Sequence, residues 1–474
     1  GPDDVGGIDV VGDHVVHGAN ECTSAAAPPE HWRQSSSERA HNVHMDRRTA
    51  LALLGAAPAA FVATSMPGRR LRAEQAPAAA FVPDAEIRLT AAPATVPLLP
   101  GEPTQVWRYT GEILRGPASL LQPIEGSYLG PVIRAVKGQR LRIRFRNELG
   151  EPSIVHWHGL DVPERADGHP RLAVPHGGEY VYDFEVTNRA GTYWYHPHPH
   201  MRTAAQVYQG LAGLFLVTDP EEETLKLPSG EAELLCVVQD RRFDARNQFL
   251  YSGGSAGSPA QQEAARGMGR GRGMERGGMM GGGMGQMMEL MNGWLGARML
   301  VSGRVQPQMD VERRSYRVRL LNGSNARIYK LAWSDGTPFD VIGSDGGLLD
   351  SPKAMNRITL APGQRIDAIV DLSQHAPGAT VQLQSLTFPA ADAGRVGMMG
   401  DTSPVPQGAP LVLMTLRTTE KQGPRYLVPA RLLPRRLPRT EDPAAAVRKV
   451  PLTFMRMNWM IDGRVFDLAD VAPS

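Results

Sequence analysis

Two stretches of this chain repeat one pattern, and that repetition restricts the fold more than any other feature. Lys137–Asn147 reads KGQRLRIRFRN, with Leu141, Ile143 and Phe145 alternating with Arg140, Arg142 and Arg144. Alternate side chains of a strand share a face, so this stretch predicts a strand buried on one side and wet on the other. Ala361–Leu372 reads APGQRIDAIVDL and repeats at 363–365 the Gly-Gln-Arg of 138–140. Glu179–Val186 (EYVYDFEV) and Tyr316–Arg327 (YRVRLLNGSNAR) alternate in the same manner. Short strands between turns, with no long helical pattern, predict an all-β chain of sandwiches, and a unit that occurs twice predicts them in tandem. The 51 Gly and 39 Pro among 474 residues supply the turns. Thr203–Gly213 (TAAQVYQGLAG) reads as a short helical turn. A formal net charge of +2 on a chain this long gives no electrostatic argument for nucleic acid.

Histidine is concentrated in one window. Of thirteen, five precede Met45, seven lie between His156 and His200, and His375 stands alone. HWHG at His156–Gly159 and WYHPHPH at Trp194–His200 each place two imidazoles at i and i+2. On strands, His156 and His158 then share a face with Trp157 turned away, as do His196 and His198 around Pro197. Four neutral imidazoles on one end of a sheet suit Cu, Zn, Fe or Ni, and affinity favours copper among divalent ions. His200 continues the alternation, either as a fifth ligand or as a rim residue. His169 and His176 lie in a Gly/Pro-rich loop and read as bystanders. A zinc hydrolase using HxH fits poorly, because Gly159, Leu160 and Asp161 follow His158 where an Asp-His pair is wanted.

HWHGLDVPERADG (His156–Gly168) followed by GTYWYHPHPHMRTAAQVYQGLAGLFLV (Gly191–Val217) resembles the first-domain copper motifs of the multicopper oxidases, the laccase and cuprous-oxidase family. The resemblance implies tandem cupredoxin-like Greek-key β-sandwiches. It also implies that His156 holds a type 2 copper, and that His158, His196 and His198 hold type 3 coppers. An acidic residue after HWHG delivers protons in that family; by offset this is Asp167, with Asp161 as the nearer but poorer choice. QDRRF, LLNGSNAR and SDGGLL extend the resemblance into a second domain that is a copper-free spacer in the family.

The expected organisation follows. Residues 1–44 read as upstream or disordered leader, and Met45 opens MDRRTALALLGAAPAAFVATSMPG, the layout of a twin-arginine export signal within 45–80. The apolar run contains Pro58 and is short for a membrane span, so no stable membrane anchor is expected and the destination is periplasmic or extracytoplasmic. The first sandwich is expected over 81–220 and the second over 223–418. Cys22 falls in the leader, leaving Cys236 in a buried strand as a small core residue.

A Met/Gly-rich insert at 267–291 reads as a disordered loop whose thioethers suit Cu(I), although Met287–Met291 also fits a helical turn packed on Trp294. Met398 and Met399 are a smaller version of the same choice. A Pro/Arg-rich linker over 419–450 precedes 451–474, which resembles a third cupredoxin domain only begun. The family's third-domain HPxHxHG and HCHxxxH segments are not in the sequence, so type 1 copper ligands are missing and the chain is expected to be a fragment, inactive alone. The parent is expected to couple one-electron oxidation of Cu(I) or a small phenolic substrate to reduction of O2 to water. The alternative is a non-catalytic copper-binding or structural cupredoxin protein.

Overall fold

The computed structural model describes residues 81–251, 293–389, 403–433, 449–455 and 458–465, all within one compact unit, Phe81–Ser474. The expected leader, export signal, Met-rich insert, Met398–Met399 pair and much of the linker lie outside these residues.

The first sandwich comprises β1 (Ala85–Val96), β2 (Thr104–Arg115), β3 (Leu121–Gln122), β4 (Val132–Val136), β5 (Arg140–Asn147), β6 (Val155–His158), β7 (Glu179–Glu185), β8 (Gly191–Pro197) and β9 (Gly213–Thr218). Its two sheets run β2-β1-β5-β7 and β3-β4-β9-β8-β6. On β5 the alternation holds: Leu141, Ile143 and Phe145 are buried, and the arginines between them pair with acids on the outer face. The inward residues meet Trp157 of β6, Tyr195 of β8 and Phe215 of β9 in one core. Burying each such side chain contributes about 1.5–3 kcal/mol. Helix α1 (Thr203–Gln209) follows β8.

The second sandwich comprises β10 (Glu233–Phe243), β11 (Phe249–Leu250), β12 (Arg298–Val301), β13 (Arg304–Val305), β14 (Gln308–Arg313), β15 (Ser315–Asn322), β16 (Tyr329–Trp333), β17 (Phe339–Ser344), β18 (Gly347–Met355), β19 (Ile358–Leu360), β20 (Arg365–Asp371), β21 (Thr380–Ser385) and β22 (Leu411–Gln422). One sheet is ordered β13-β12-β10-β15-β20-β17-β18 with β11 on β10, and the other β14-β22-β21-β16-β19. Cys236 is buried on β10, and burial pushes its thiol up to about 12, which suits an inert core residue. β22 extends to Gln422, into the stretch expected as linker. A hairpin of β23 (Leu452–Met455) and β24 (Asn458–Ile461) follows. Among the described residues, no helix is long and apolar enough to cross a membrane.

One expectation fails on β15. Its Arg/apolar alternation predicts a half-wet strand, yet all eight of its residues are buried. Arg317 lies 2.6 Å from Asp367 and 2.5 Å from Glu222, while Arg319 lies 3.0 Å from Asp367 and 2.5 Å from Glu233. Arg319 also donates to the Thr192 hydroxyl of β8, 3.0 Å away, so these guanidiniums point into the seam between the sandwiches. The residues that neutralise them come from elsewhere in the sequence.

Candidate metal centre

Four imidazoles converge at one end of the β6–β8 pair. Trp157 is driven into the core, so its neighbours His156 and His158 must face the other way. The antiparallel register sets His156 directly opposite His196 and His158 opposite Trp194. His198 follows the end of β8 and is held by its own N–H, which donates to the Ile154 carbonyl at 2.9 Å. Ring centroids of His156 lie 5.8 Å from His158, 5.3 Å from His196 and 5.5 Å from His198. His158 and His196 are 5.5 Å apart, and His196 and His198 6.1 Å. One ligating nitrogen from each of His156, His158 and His196 falls within 4.8 Å of the others.

The hydrogen bonds decide which nitrogens are free. His156 Nδ1 donates to the Asp167 carbonyl at 2.8 Å and lies 3.2 Å from the Asp167 carboxylate. His196 Nδ1 donates to the Pro197 carbonyl at 2.9 Å. Both rings therefore turn Nε2 toward the centre, the arrangement by which second partners orient metal-binding histidines. His158 Nδ1 faces His196 Nε2 at 3.3 Å. His198 Nδ1 is buried without a hydrogen-bond partner. An orphaned ring nitrogen, and two more aimed at one another, are what a cation would complete, so the residues present fit a metal.

Burial favours the neutral form of His158, His196 and His198. It pushes His158 down to about 3, with the Arg365 charge and the neighbouring imidazoles acting in the same direction. His196 is held well below the usual histidine range by burial, then by His156 and His158, and His198 is lowered chiefly by burial. Neutral imidazole is the form that binds metal. Trp194 stacks against His196 at 4.2 Å and His158 at 5.0 Å, closing one side of the cluster to water.

Asp167 reaches His156 because of the residue after it. Gly168 has φ of +77°, and a Cβ there would lie 2.0 Å from the Val155 carbonyl oxygen, so only glycine lets this loop rest on β6. Asp161 is not brought to the cluster: its N–H donates to Asn188 and its carbonyl accepts from Thr187. His169 caps the short turn at Pro170–Leu172 and lies close enough to act electrostatically on His198, while His176 bonds the Leu149 carbonyl. His200 is exposed beyond the strand.

Sequence reasoning missed what the second sandwich contributes. Gly363 lies against the His158 ring, and the buried Arg365 spans Thr192 and Asp345 beside Gly159. The signal was the repeated Gly-Gln-Arg, which marked a repeat without showing what one copy touches.

Cupredoxin-type sandwiches carrying paired histidines at a strand end define a class of copper protein. The multicopper oxidase family model matches residues 105–222. The McoA multicopper oxidase 2F4 variant of Aquifex aeolicus is 34% identical, with a TM-score of 0.63 over 81% of this chain and 72% of that one. The chain belongs to the multicopper oxidase family. "Multicopper oxidase mco" of Staphylococcus haemolyticus is 34% identical over 249 residues, 52% of this chain and 48% of the relative. "Cell division protein FtsP" of Escherichia coli is 33% identical over 252 residues, 53% and 46% respectively. The matched part thus spans about half the length of these curated relatives.

Proposed function

We propose that His156, His158, His196 and His198 hold copper, and that the protein serves an oxidase. In that reaction, four one-electron oxidations of Cu(I) or a phenol supply the reduction of one O2 to two waters, with four protons taken up. The observation that carries this is the register of β6 on β8, which puts His156 against His196, with the rings of His158 and His198 within 5.8 Å of the His156 ring. Bound copper would supply the one-electron redox change. The chain's own residues do the rest: the Asp167 and Pro197 carbonyls fix two imidazoles by their Nδ1 protons, and Trp194 excludes water from their faces. The half-exposed Asp167 carboxylate beside His156 is placed to take protons from solvent and pass them inward. Export by the twin-arginine route and Cu(I) handling by the 267–291 insert belong to the same reading and rest on sequence.

Copper content after loading the purified chain tests the site. His156→Ala and His196→Ala should each lower it sharply, and unchanged stoichiometry in both would sink the assignment. Asp167→Asn should keep the copper. A second reading, a copper-binding or structural cupredoxin protein, is favoured by the FtsP relatives, which match as much of the chain as the oxidases do. Copper bound without O2 uptake on Cu(I) or a phenol, measured in the full-length protein, would select it.

A further inference from the structure

The second sandwich contributes no histidine to the cluster, yet among the described residues its Ala361–Gln364 turn touches the His158 ring. In the turn from Ala361 to Gln364, Gln364 N–H donates to the Ala361 carbonyl at 3.1 Å, with Pro362 and Gly363 between them. Gly363 has φ of +82°, and a Cβ there would lie 3.2 Å from Cε1 and 3.6 Å from Nε2 of His158, and 3.8 Å from Trp194. The contact is reciprocal. Gly159, next to His158, has φ of +87°, and a Cβ there would lie 2.5 Å from Nη2 of Arg365. Arg365 is 4% exposed, bonds the Thr192 carbonyl at 3.1 Å and Asp345 at 2.8 Å, and lies over the Tyr193 ring. A glycine on each side lets the two backbones close on the His158 ring, one edge of which meets the turn while Nδ1 faces His196.

We propose that Gly363 and Arg365 are positioning residues for the metal centre, with the second sandwich acting as the clamp that fixes the His158 ring. This rests on the copper reading of the four histidines. Without the clamp, His158 is free to rotate about its side-chain bonds, and Nδ1 no longer stays aimed at the point shared with His196. A ring held only by its own strand binds metal more weakly even when every ligand is present.

The molecule contains its own control. The first copy of the turn, Val136 to Gln139, has Gly138 at φ of +88° with nothing within 4 Å of a Cβ. Gly138→Ala and Gly363→Ala therefore impose the same backbone strain, and only the second presses on His158. Cu(II) is titrated into the metal-free full chain against a competing chelator, and the paramagnetic resonance spectrum of the Cu(II) form is recorded. Gly363→Ala should weaken Cu(II) binding by about tenfold to a hundredfold and alter the nitrogen coupling in the spectrum. Gly138→Ala should change neither while losing comparable thermal stability.

Equal affinities in wild type and Gly363→Ala, with the same spectrum, overturn the clamp. Equal losses in both glycine variants also overturn it, because strain alone then accounts for the effect. Should Gly363→Ala fail to fold, Arg365→Lys carries the test: a several-fold loss of Cu(II) affinity supports the clamp, and none refutes it. A wild-type chain that binds no Cu(II) would instead refute the copper reading itself.

Discussion

The two Gly-Gln-Arg copies are built alike and used differently. In each, the glutamine side chain accepts the N–H three residues back, from Val136 to Gln139 at 3.2 Å and from Ala361 to Gln364 at 2.7 Å. In each, a positive-φ glycine sits third in the turn, the position that type II geometry reserves for it. A strand then leaves the turn through arginine. In the first copy that arginine, Arg140, is exposed and pairs with Asp84 at 2.9 Å, and β5 keeps a wet face. In the second copy Arg365 is buried, one of six buried residues among the seven of β20. Burial is therefore a property of what the fold stacks on a strand. The local turn chemistry is the same in both.

That difference should appear most strongly two residues after each arginine. Arg142 pairs with Asp183 at a partly exposed site, at 2.7 Å. Asp367, its counterpart in the repeat, is 2% exposed between Arg317 and Arg319. Asp367→Ala removes the carboxylate that Arg317 and Arg319 share, leaving them Glu222 and Glu233 and the cluster, counted with Arg134 on Glu233, one positive charge in excess. It should cost about 3–5 kcal/mol, since a buried charge loses its compensation. Arg142→Ala breaks a pair that water and salt already screen and should cost about 0–1 kcal/mol. Denaturant unfolding of the two variants measures the gap, and equal costs would mean the seam is as wet as the outer face.

Acid should widen the same gap by a smaller amount. Burial alone would raise the Asp367 carboxyl, but Arg317 and Arg319 together hold it below its usual value. A depressed acid contributes stability that is whole above its unfolded value, about 3.9, and is lost as pH falls through the lower folded value. Glu233, lowered by Arg319 and Arg134 against the same burial penalty, adds to this loss in the same direction. Glu222 opposes it: burial raises its carboxyl, so proton uptake there favours the folded state. Thermal midpoints followed from neutral pH to below about 4 should fall, and the fall should shrink in Asp367→Asn. A variant as acid-sensitive as the wild type would place the titrating groups elsewhere.

These differences also show what a sequence can reveal. The site was legible because its geometry is local: i and i+2 on a strand share a face, and two such pairs on neighbouring strands met as their spacing predicts. Asp167, expected by its offset, lies beside His156 where Gly168 seats it, and its part in proton delivery belongs to the proposal. The arginines of β15 were misread because Arg/apolar alternation looks the same whether the polar face meets water or acids. Glu222, Glu233 and Asp367 lie far from Arg317 and Arg319 in the chain, so nothing near the arginines announces them. Gly363 was visible as half of a repeat, but its contact with His158 depends on how two sandwiches pack, and no short segment encodes that.

The smallest effect is the one that tests whether the two turns are equivalent at all. Gln139→Ala and Gln364→Ala each remove one side-chain hydrogen bond to a backbone N–H that solvent can partly reach, so each should cost about 0.5–1.5 kcal/mol. The shorter bond at Gln364 and its more enclosed turn favour the upper half of that range there. If the costs agree to within about 0.5 kcal/mol, the turn is a self-contained unit whose stability ignores the sandwich it serves. If Gln364→Ala also weakens Cu(II) binding while Gln139→Ala does not, the loss has travelled through Gly363 to the His158 ring. The second turn would then be set by the metal centre it touches as well as by its own hydrogen bonds.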